Sequence, residues 1–462
     1  MRGTIEDWQR VTADTALLER AAEAEAGGVG AVAKLRKTYD ETAVALALEL
    51  VKARGKAAAK FGQRAKSMVA DVPGIEQASG HTVAAYKAER FRAALGEGVT
   101  VADLCCGIGG DTAALCDAGL DVLAVDHDPV RAWMAGHNSG GRAETACMDV
   151  ADWPTPEHKA GTHAIHLDPA RRDEAAGRRL WKLDNLRPPP EVITRLIERA
   201  GEQGAAVKLG PGVDLDAIED RWPDAGVEFI AEGNRLVQAV LWTGKLRRAE
   251  RSATLITRTT NKDAWRPSPA PSPFQGEGWG GGRQSDPEHQ YTQAAAPDPP
   301  PNPLPPSREG EPKQAPQSTG IRVDQETHTL DGTPGDAPLG AIARYLYAVH
   351  PAVERAGLIH LLAHQHDAPL IHRKLGLLSR DTPTDSPWLT GFELLAELPW
   401  RPKKVKRWLT DHDGGIIEVK TRGKAVDPDA VSQQLRGKGG TPYTVFVLRF
   451  DVRVVALVCR RV

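Results

Sequence analysis

Apolar runs alternate with helix-like stretches between Val99 and Leu246. Five of these runs have the length and composition of buried strands in a parallel sheet. They read VTVADL, DVLAVD, AETACMDV, HAIHLD and AAVKLG and end at Leu104, Asp126, Val150, Asp168 and Gly210. Two further runs, VEFIAE and RLVQAVLW, flank Gly233 and predict an antiparallel hairpin with a tight turn from Glu232 to Arg235. The pattern therefore predicts an α/β domain over residues 97–257, whose parallel sheet is closed by a hairpin.

The pattern changes on both sides of this domain. Residues 1–96 are rich in Ala, Glu, Lys and Arg with apolar residues at helical spacing, and one helix is expected from about Asp40. Between Pro267 and Pro316 there are fourteen prolines and six glycines, a content typical of unordered low-complexity sequence. We interpret residues 258–330 as a disordered linker.

Residues 331–462 predict a small α+β module, separate from the α/β domain. A helical stretch is expected from near Ala337 to about His366. The later segments GGIIEVKTR, YTVFVLRF and RVVALVCRRV have strand patterns. Between them, DPDAVSQQLRGKGG predicts a helix capped by Asp427, with Pro428 in its first turn and Gly437 near its end.

The segment VADLCCGIGGDT, from Val101 to Thr112, joins a strand to a helix through a glycine-rich turn. Such a turn lets backbone approach a nucleoside ligand closely, because glycine lacks a Cβ. Thr112 stands where a dinucleotide-binding GxGxxG turn has its third glycine. Asp103, an acid four residues before the first glycine of the turn, instead favours a cationic ligand such as S-adenosylmethionine.

Further acids follow the next two strands, Asp126 after the second and Asp149 after the third. Open α/β folds bind ligands at the carboxyl ends of their parallel strands, so three acids at successive ends fit an adenosine group lying across that edge. The candidate cofactor residues are Asp103, Gly107, Gly109, Gly110, Asp126 and Asp149. A merely flexible turn at Gly107 to Gly110 is the alternative.

The fourth strand leads into Asp168, Pro169, Ala170 and Arg171, which we predict to face the methyl acceptor. An exocyclic amine could donate hydrogen bonds to the Asp168 carboxylate and to a following carbonyl, leaving its lone pair aimed at the methyl group. The alternative is that Asp168 caps a helix and Pro169 fixes a turn. Lys208, after the fifth strand, fits a surface lysine better than a residue of the cleft.

Composition limits the other chemistry available to the chain. The five cysteines and fourteen histidines show no metal-ligand spacing, so we expect neither a disulfide framework nor a metal site. A cysteine beside a strand is more often packed in the protein interior than used as a nucleophile, and we expect this of Cys105, Cys106 and Cys147. We expect structural roles for His127, His163 and His166. The start of the chain lacks a signal-peptide pattern, and no apolar run is long enough to cross a bilayer, so a cytoplasmic protein without a membrane partner is expected.

The formal charge of −2 hides an uneven distribution. From Leu398 to Val462 there are fourteen Lys and Arg residues against six Asp and Glu residues. Such an excess on one module indicates a nucleic-acid surface, although a solvated charged face is the simpler alternative. The candidate RNA-contacting residues are Lys403, Lys404, Lys406, Arg407, Lys420, Arg422 and Lys424.

These segments resemble bacterial class I S-adenosylmethionine-dependent methyltransferases that carry a C-terminal THUMP-like domain. The likeness rests on EQAS, YKAERF, DLCCGIGGD, VDHDP and LDPARR, and on ELPWRPKKVKRWL, IIEVKTRG and VDPDAVSQQL near the end of the chain. The resemblance implies a Rossmann-like methyltransferase core, S-adenosylmethionine as methyl donor and RNA as a partner. Ala170 and Arg171 stand where adenine and guanine amino methyltransferases usually have proline and an aromatic residue.

The leading hypothesis is transfer of a methyl group to a base nitrogen in tRNA or rRNA. Two alternatives remain: a methyltransferase acting on a small molecule or a protein, and an RNA-binding protein that senses the cofactor without catalysis. The sequence leaves the oligomeric state open.

Overall fold

A computed structural model describes residues 3–96, 98–153, 164–171, 183–258, 325–422 and 425–462. Most of the predicted linker, residues 259–324, lies outside the described residues. So do His163 and Lys424.

The N-terminal region is helical, as its spacing predicts. Its helices are α1 (Ile5–Ala13), α2 (Thr15–Gly27), α3 (Val29–Leu35), α4 (Glu41–Phe61), α5 (Val72–Gln77) and α6 (His81–Leu95). The longest begins after Asp40, whose carboxylate accepts a hydrogen bond from the Ala43 backbone at 2.8 Å and so satisfies a free N–H of the first turn. The core of these helices also includes Ile108, from the glycine-rich turn of the following domain, and Met134. The helical region therefore packs directly on the candidate cofactor loop.

The α/β domain contains the predicted strands in the predicted order. Its elements are β1 (Thr100–Leu104), α7 (Gly110–Asp117), β2 (Asp121–Asp126), α8 (Pro129–Asn138), β3 (Glu144–Cys147), β4 (Ala164–Leu167), β5 (Ala170–Arg171), β6 (Leu186–Arg187), α9 (Pro190–Ala200), β7 (Ala205–Leu209), α10 (Leu215–Arg221), β8 (Gly226–Glu232), β9 (Arg235–Trp242), β10 (Arg251–Arg258) and β11 (Gln325–Gly332). The main sheet has the order β11-β10-β8-β9-β7-β4-β1-β2-β3. Neighbouring strands from β3 to β7 are parallel, and β9 is antiparallel to both β7 and β8.

Strand β11 corrects the predicted end of the linker. Residues 325–330 were expected to be disordered, but they belong to a strand at the edge of the main sheet. The hydroxyl of Ser252 on β10 donates a hydrogen bond to Asp331 at 2.6 Å, and the hydroxyls of Thr254 and Thr329 lie 3.2 Å apart. Thr329, which was predicted to lie in the linker, thus contacts Thr254 of β10, and Asp331 extends the pairing to Ser252.

The C-terminal region forms a second sheet with the order β13-β12-β14-β17-β16-β15. Its elements are β12 (Tyr345–Val349), α11 (Pro351–Ala356), α12 (Ile359–Gln365), β13 (Leu377–Arg380), β14 (Leu389–Pro399), α13 (Pro402–Asp411), β15 (Gly414–Arg422), α14 (Pro428–Leu435), β16 (Thr441–Phe450) and β17 (Arg453–Arg461). Asp427 caps α14 as predicted. The expected helical stretch up to about His366 is wrong in its first part, because 345–349 is a strand whose apolar residues pair with β13 and β14.

The expectation of a separate C-terminal module is also corrected. Buried residues of β12 and α11 share one hydrophobic core with buried residues of the main sheet. Arg355 on α11 lies over the ring of Phe229 on β8, 5.1 Å from its centroid, and donates hydrogen bonds to the carbonyls of Pro211 and Val213. His350 donates from Nε2 to the carbonyl of Gly233, in the turn of the β8–β9 hairpin, at 2.9 Å. Helix α11 is thus anchored to the sheet by both apolar and polar contacts.

A fully buried carboxylate, Glu228 on β8, connects α6 to the hairpin. It accepts hydrogen bonds from Tyr86 at 2.5 Å, Arg90 at 2.8 Å, Trp242 at 2.8 Å and Thr254 at 2.6 Å. Burial and, after it, the Glu228 charge together raise the pKa of Tyr86 to about 12, so Tyr86 remains a hydrogen-bond donor. The buried charge is therefore well compensated.

Replacing Glu228 with alanine should lower the free energy of unfolding by about 3–5 kcal/mol, because Arg90 would remain buried without its partner. Urea denaturation followed by circular dichroism measures this. The control Glu89→Ala removes an exposed carboxylate of α6, the helix that carries Arg90. This carboxylate is paired with Arg92, and its loss should cost less than about 1 kcal/mol. Equal effects of the two changes would contradict the structural role of Glu228.

Candidate active site

The parallel strands place four candidate side chains in one row at the carboxyl edge of the sheet. Leu104 on β1 is paired with Val125 on β2 and with Leu167 on β4, and Leu167 is paired with Val207 on β7. The residues that follow these partners are Asp126, Cys105, Asp168 and Lys208. Asp126 and Asp168, which are far apart in the sequence, thus lie at the same edge of the sheet, where open α/β folds bind ligands.

The three loop glycines differ in what they do. Gly107 has a φ of +55°, and a Cβ built there would meet open space. Gly109 also has a positive φ, but a Cβ there would lie 2.5 Å from Cα of Ala135, so this glycine lets α8 pack against the loop. A Cβ on Gly110 would contact Phe61 and the carbonyl of Ser79. Among the three, the structure gives only Gly107 an open side toward a ligand.

Asp126 supports Gly107 from the neighbouring strand. Its carboxylate accepts hydrogen bonds from the backbone N–H of Gly107 at 2.9 Å and of Asp128 at 3.0 Å. Asp149 is exposed, and its carboxylate accepts a hydrogen bond from the Ala151 N–H at 2.8 Å. The open backbone at Gly107, with the Asp126 carboxylate bonded to it, suits a ligand that carries hydroxyl and amino groups.

Asp103 is placed differently from its predicted direct contact with the cofactor. It has no solvent exposure, and its carboxylate accepts a hydrogen bond from Thr112 at 2.5 Å and lies 2.7 Å from Nδ1 of His166. The other ring nitrogen of His166, Nε2, lies 2.9 Å from Nζ of Lys87 on α6. Lys87 also forms an ion pair with Asp111 at 2.8 Å. Asp103 thus belongs to a buried polar network beneath the glycine loop.

This network, made up of Lys87, Asp103, Asp111, Thr112 and His166, connects four elements, α6, β1, α7 and β4. Burial by itself would raise the pKa of Asp111, but the charges of Lys87 and His166 outweigh it, and the net shift is downward. The sequence predicts a structural role for His166 but contains no signal that singles out Lys87. An Asp–x₇–Asp–Thr spacing with a distant lysine has no local signal that could have identified the network.

The cysteines of the loop are unsuited to nucleophilic chemistry. Burial raises the pKa of Cys105 well above its usual value, and the carboxylates of Asp126, Asp168, Asp103 and Asp149 raise it further. Burial similarly raises the pKa of the Cys106 thiol. Both thiols therefore remain protonated near neutral pH.

Asp168 follows β4 and is paired with Lys208, at 2.6 Å from Oδ2 to Nζ. Its backbone N–H donates to the carbonyl of Leu104, which holds it against the neighbouring strand. Pro169 is buried, whereas Ala170 is exposed and begins the short antiparallel ladder of β5 with β6. Arg171 is the second residue of that ladder. The expectation that Lys208 is a surface lysine is corrected, since its side chain is mostly buried and ion-paired at the site.

The basic residues of the C-terminal domain fall into two groups. Lys403, Lys404 and Arg407 are exposed on α13, and the structure pairs none of them with an acid among the residues it describes. Lys406 on the same helix donates a hydrogen bond to the Gln434 carbonyl at 2.7 Å. By contrast, Lys420 is paired with Glu418 at 2.8 Å and Arg422 with Glu354 at 3.4 Å, so these two are engaged within the domain.

Other candidate sites are not evident in the described part of the chain. Within those residues there is no cluster of histidines, cysteines and acids that could hold a metal ion, and no helix with the length and hydropathy needed to cross a membrane. A cavity of about 740 Å³ lies between α9 and α10, lined by residues such as Thr194, Arg195 and Arg221, and includes none of the predicted site residues.

Comparisons with known proteins agree with this geometry. The family model for the THUMP-like domain matches residues 389–461. Two curated proteins from two strains of Mycobacterium tuberculosis, both named as uncharacterized S-adenosylmethionine-dependent methyltransferases, are 25% identical over 395 residues, which cover 84% of this chain and 87% of each relative. A crystal structure of a candidate methyltransferase from Porphyromonas gingivalis W83 superposes with a TM-score of 0.59 at 16% identity and covers 92% of both chains.

The chain has the fold of class I methyltransferases with a C-terminal THUMP-like domain, and it is similar over most of its length to S-adenosylmethionine-dependent methyltransferases. The predicted fold, enzyme class and methyl donor are therefore confirmed. The site of this methyltransferase also fits S-adenosylmethionine, because Gly107 leaves its backbone open and Asp126 places a carboxylate beside it. The individual contacts of these residues with the cofactor stay predictions.

Replacing Asp126 with alanine should weaken the binding of S-adenosylhomocysteine at least tenfold, which is about 1.4 kcal/mol. The change removes the carboxylate that holds the Gly107 backbone and that we expect to accept hydrogen bonds from the ligand. Isothermal titration calorimetry measures it. The matched control is Asp121→Ala, an exposed acid at the start of the same strand, and affinity within twofold of the unchanged protein is expected there. Unchanged affinity in the Asp126 variant would contradict the assignment of this loop.

Proposed function

We propose that this methyltransferase methylates a base nitrogen in structured RNA such as tRNA or rRNA. The observation that carries the proposal is the position of Asp168, in the same edge row as Asp126 and one strand away from the glycine loop. S-adenosylmethionine supplies an electrophilic methyl group whose thioether leaving group needs no acid. The protein is then left to bind both partners and to orient the acceptor.

On this proposal the loop residues hold the methyl donor. Asp126 accepts hydrogen bonds from ribose hydroxyls, Gly107 admits the ligand against bare backbone, and Asp149 faces the adenosine group. Asp103 acts from below by holding Thr112 and His166. Asp168 accepts a hydrogen bond from the acceptor nitrogen, and Pro169 to Arg171 form the border of the acceptor site.

The RNA part of the proposal rests on the C-terminal domain. Three basic side chains, Lys403, Lys404 and Arg407, lie exposed on one short helix and pair with no acid among the described residues, so they could neutralise successive phosphates. The match to a THUMP-like family model supports an RNA surface on this domain. Lys406 lies beside these residues, whereas Lys420 and Arg422 would have to leave carboxylate partners to bind phosphate.

The deciding experiment is transfer of a radiolabelled methyl group into total RNA from a strain that lacks the gene, followed by nucleoside analysis. A labelled base from tRNA or rRNA is the expected product. Label that appears only in protein or in small molecules from the same extract would contradict the proposal.

Replacing Asp168 with asparagine should lower the rate of methyl transfer to that RNA by at least about 100-fold, because correct orientation of the acceptor supplies much of the rate. Binding of S-adenosylhomocysteine should change less than twofold. The control Asp216→Asn alters an exposed acid of α10 and should leave the rate unchanged. Full turnover by the Asp168 variant would exclude its role.

A triple charge reversal, Lys403→Glu, Lys404→Glu and Arg407→Glu, should weaken binding to bulk tRNA. Filter binding between about 50 and 200 mM salt should show a salt slope smaller by about 2–3, since each phosphate contact contributes roughly 0.7–0.9 to that slope. The control reverses three exposed basic residues of the N-terminal region, Lys34, Arg36 and Lys37. Equal losses in the two triple variants would indicate only a general charge effect and reject α13 as the RNA surface.

A further inference from the structure

The ion pair between Asp168 and Lys208 joins the ends of two neighbouring parallel strands. Asp168 follows β4 and Lys208 lies near the end of β7, at the register set by Leu167 and Val207. The side chains are only 28% and 16% exposed, respectively, and Nζ of Lys208 lies 2.6 Å from Oδ2 of Asp168. An ion pair that is largely shielded from water and held by two strands has little freedom to reorient.

Lys208 has a second contact that ties this pair to the N-terminal helical region. Its ammonium group donates a hydrogen bond to the carbonyl of Gln77 at 3.1 Å. Gln77 ends α5 and lies in the segment EQAS.

That segment is held in turn by Lys60 of α4, whose ammonium group donates to the carbonyls of Ile75, Glu76 and Ala78 at 2.7, 2.8 and 3.1 Å. Burial lowers the pKa of Lys60, and the charge of Lys208 lowers it further. Two lysines thus engage four consecutive carbonyls of one turn beside Asp168.

The arrangement leaves one side of the Asp168 carboxylate for a substrate. Oδ2 is taken by Lys208, and within the part of the chain described here Oδ1 accepts no hydrogen bond. A carboxylate paired with a lysine is a hydrogen-bond acceptor and not a donor. It therefore favours an acceptor nitrogen that carries hydrogen, such as an exocyclic amine, over a ring nitrogen that has only a lone pair.

We propose that Lys208 is a positioning residue that fixes Asp168 so that Oδ1 receives an N–H of an exocyclic amino group, which selects this class of acceptor. The inference rests on the proposed function and makes it more specific. The acceptor nitrogen uses its lone pair to form the new bond to the methyl carbon, while the electron pair of the broken carbon–sulfur bond goes to sulfur. The nitrogen then carries a positive charge and two hydrogens, and one proton leaves to Asp168 and from there to water.

The test compares Lys208→Met, Lys208→Arg and the control Lys245→Met, an exposed lysine that follows β9. Radiolabelled transfer into total RNA from the deletion strain gives kcat and KM, and calorimetry with S-adenosylhomocysteine reports the cofactor site. Lys208→Met should lower kcat at least tenfold with KM and cofactor affinity within about threefold of the unchanged protein. Lys208→Arg should recover at least a third of kcat, and Lys245→Met should behave as the unchanged protein.

A double-mutant cycle with Asp168→Asn separates positioning from general destabilisation. If Lys208 acts through Asp168, adding Lys208→Met to Asp168→Asn should change kcat less than twofold. Fully multiplicative losses would overturn the inference, as would loss of cofactor binding in Lys208→Met or a kcat within twofold of the unchanged protein.

Nucleoside analysis of the labelled RNA decides the acceptor class. A methylated exocyclic amine supports the inference. A ring nitrogen without hydrogen, such as N7 of guanine, would overturn it and leave the proposed base methylation intact. No base methylation by the unchanged protein would instead refute the proposed function itself.

Discussion

The buried ion pair between Lys87 and Asp111 is the interaction on which the geometry of the site depends. Neither side chain has appreciable contact with water, and each would be strongly unfavourable in the core without its partner. Lys87 comes from the helical N-terminal region and Asp111 from the first turn of the helix that follows the glycine loop. The pair therefore fixes the loop to a region that lies outside the parallel sheet.

His166 carries this constraint into the sheet. It bridges Lys87 and Asp103, and Asp103 holds Thr112, so the glycine loop is fixed to β1 and β4 at the same time. Asp168 lies two residues beyond His166, directly after the strand that carries His166. The loop proposed to bind the methyl donor and the carboxylate proposed to bind the acceptor are thus connected through β4.

The segment YKAERF shows how one helix connects two buried networks. Lys87 points to the network beneath the loop, whereas Tyr86 and Arg90 bind Glu228 on the hairpin. The same hairpin receives His350 from the C-terminal domain through the carbonyl of Gly233. The helical region, the main sheet and the C-terminal region that begins with β12 are consequently linked through the β8–β9 hairpin.

The sequence by itself determined the five parallel strands, the closing hairpin, the helical N-terminal region and the ends of α14, because these depend on local periodicity and capping. It also predicted that acids such as Asp126 and Asp168 lie at the carboxyl ends of these strands. Only the tertiary structure decided that Asp103 is buried, that Gly109 serves helix packing, that Lys208 pairs with Asp168 and that β11 extends the main sheet. These features depend on which distant residues meet, and a side chain such as Lys208 has the same local pattern whether it faces water or a carboxylate.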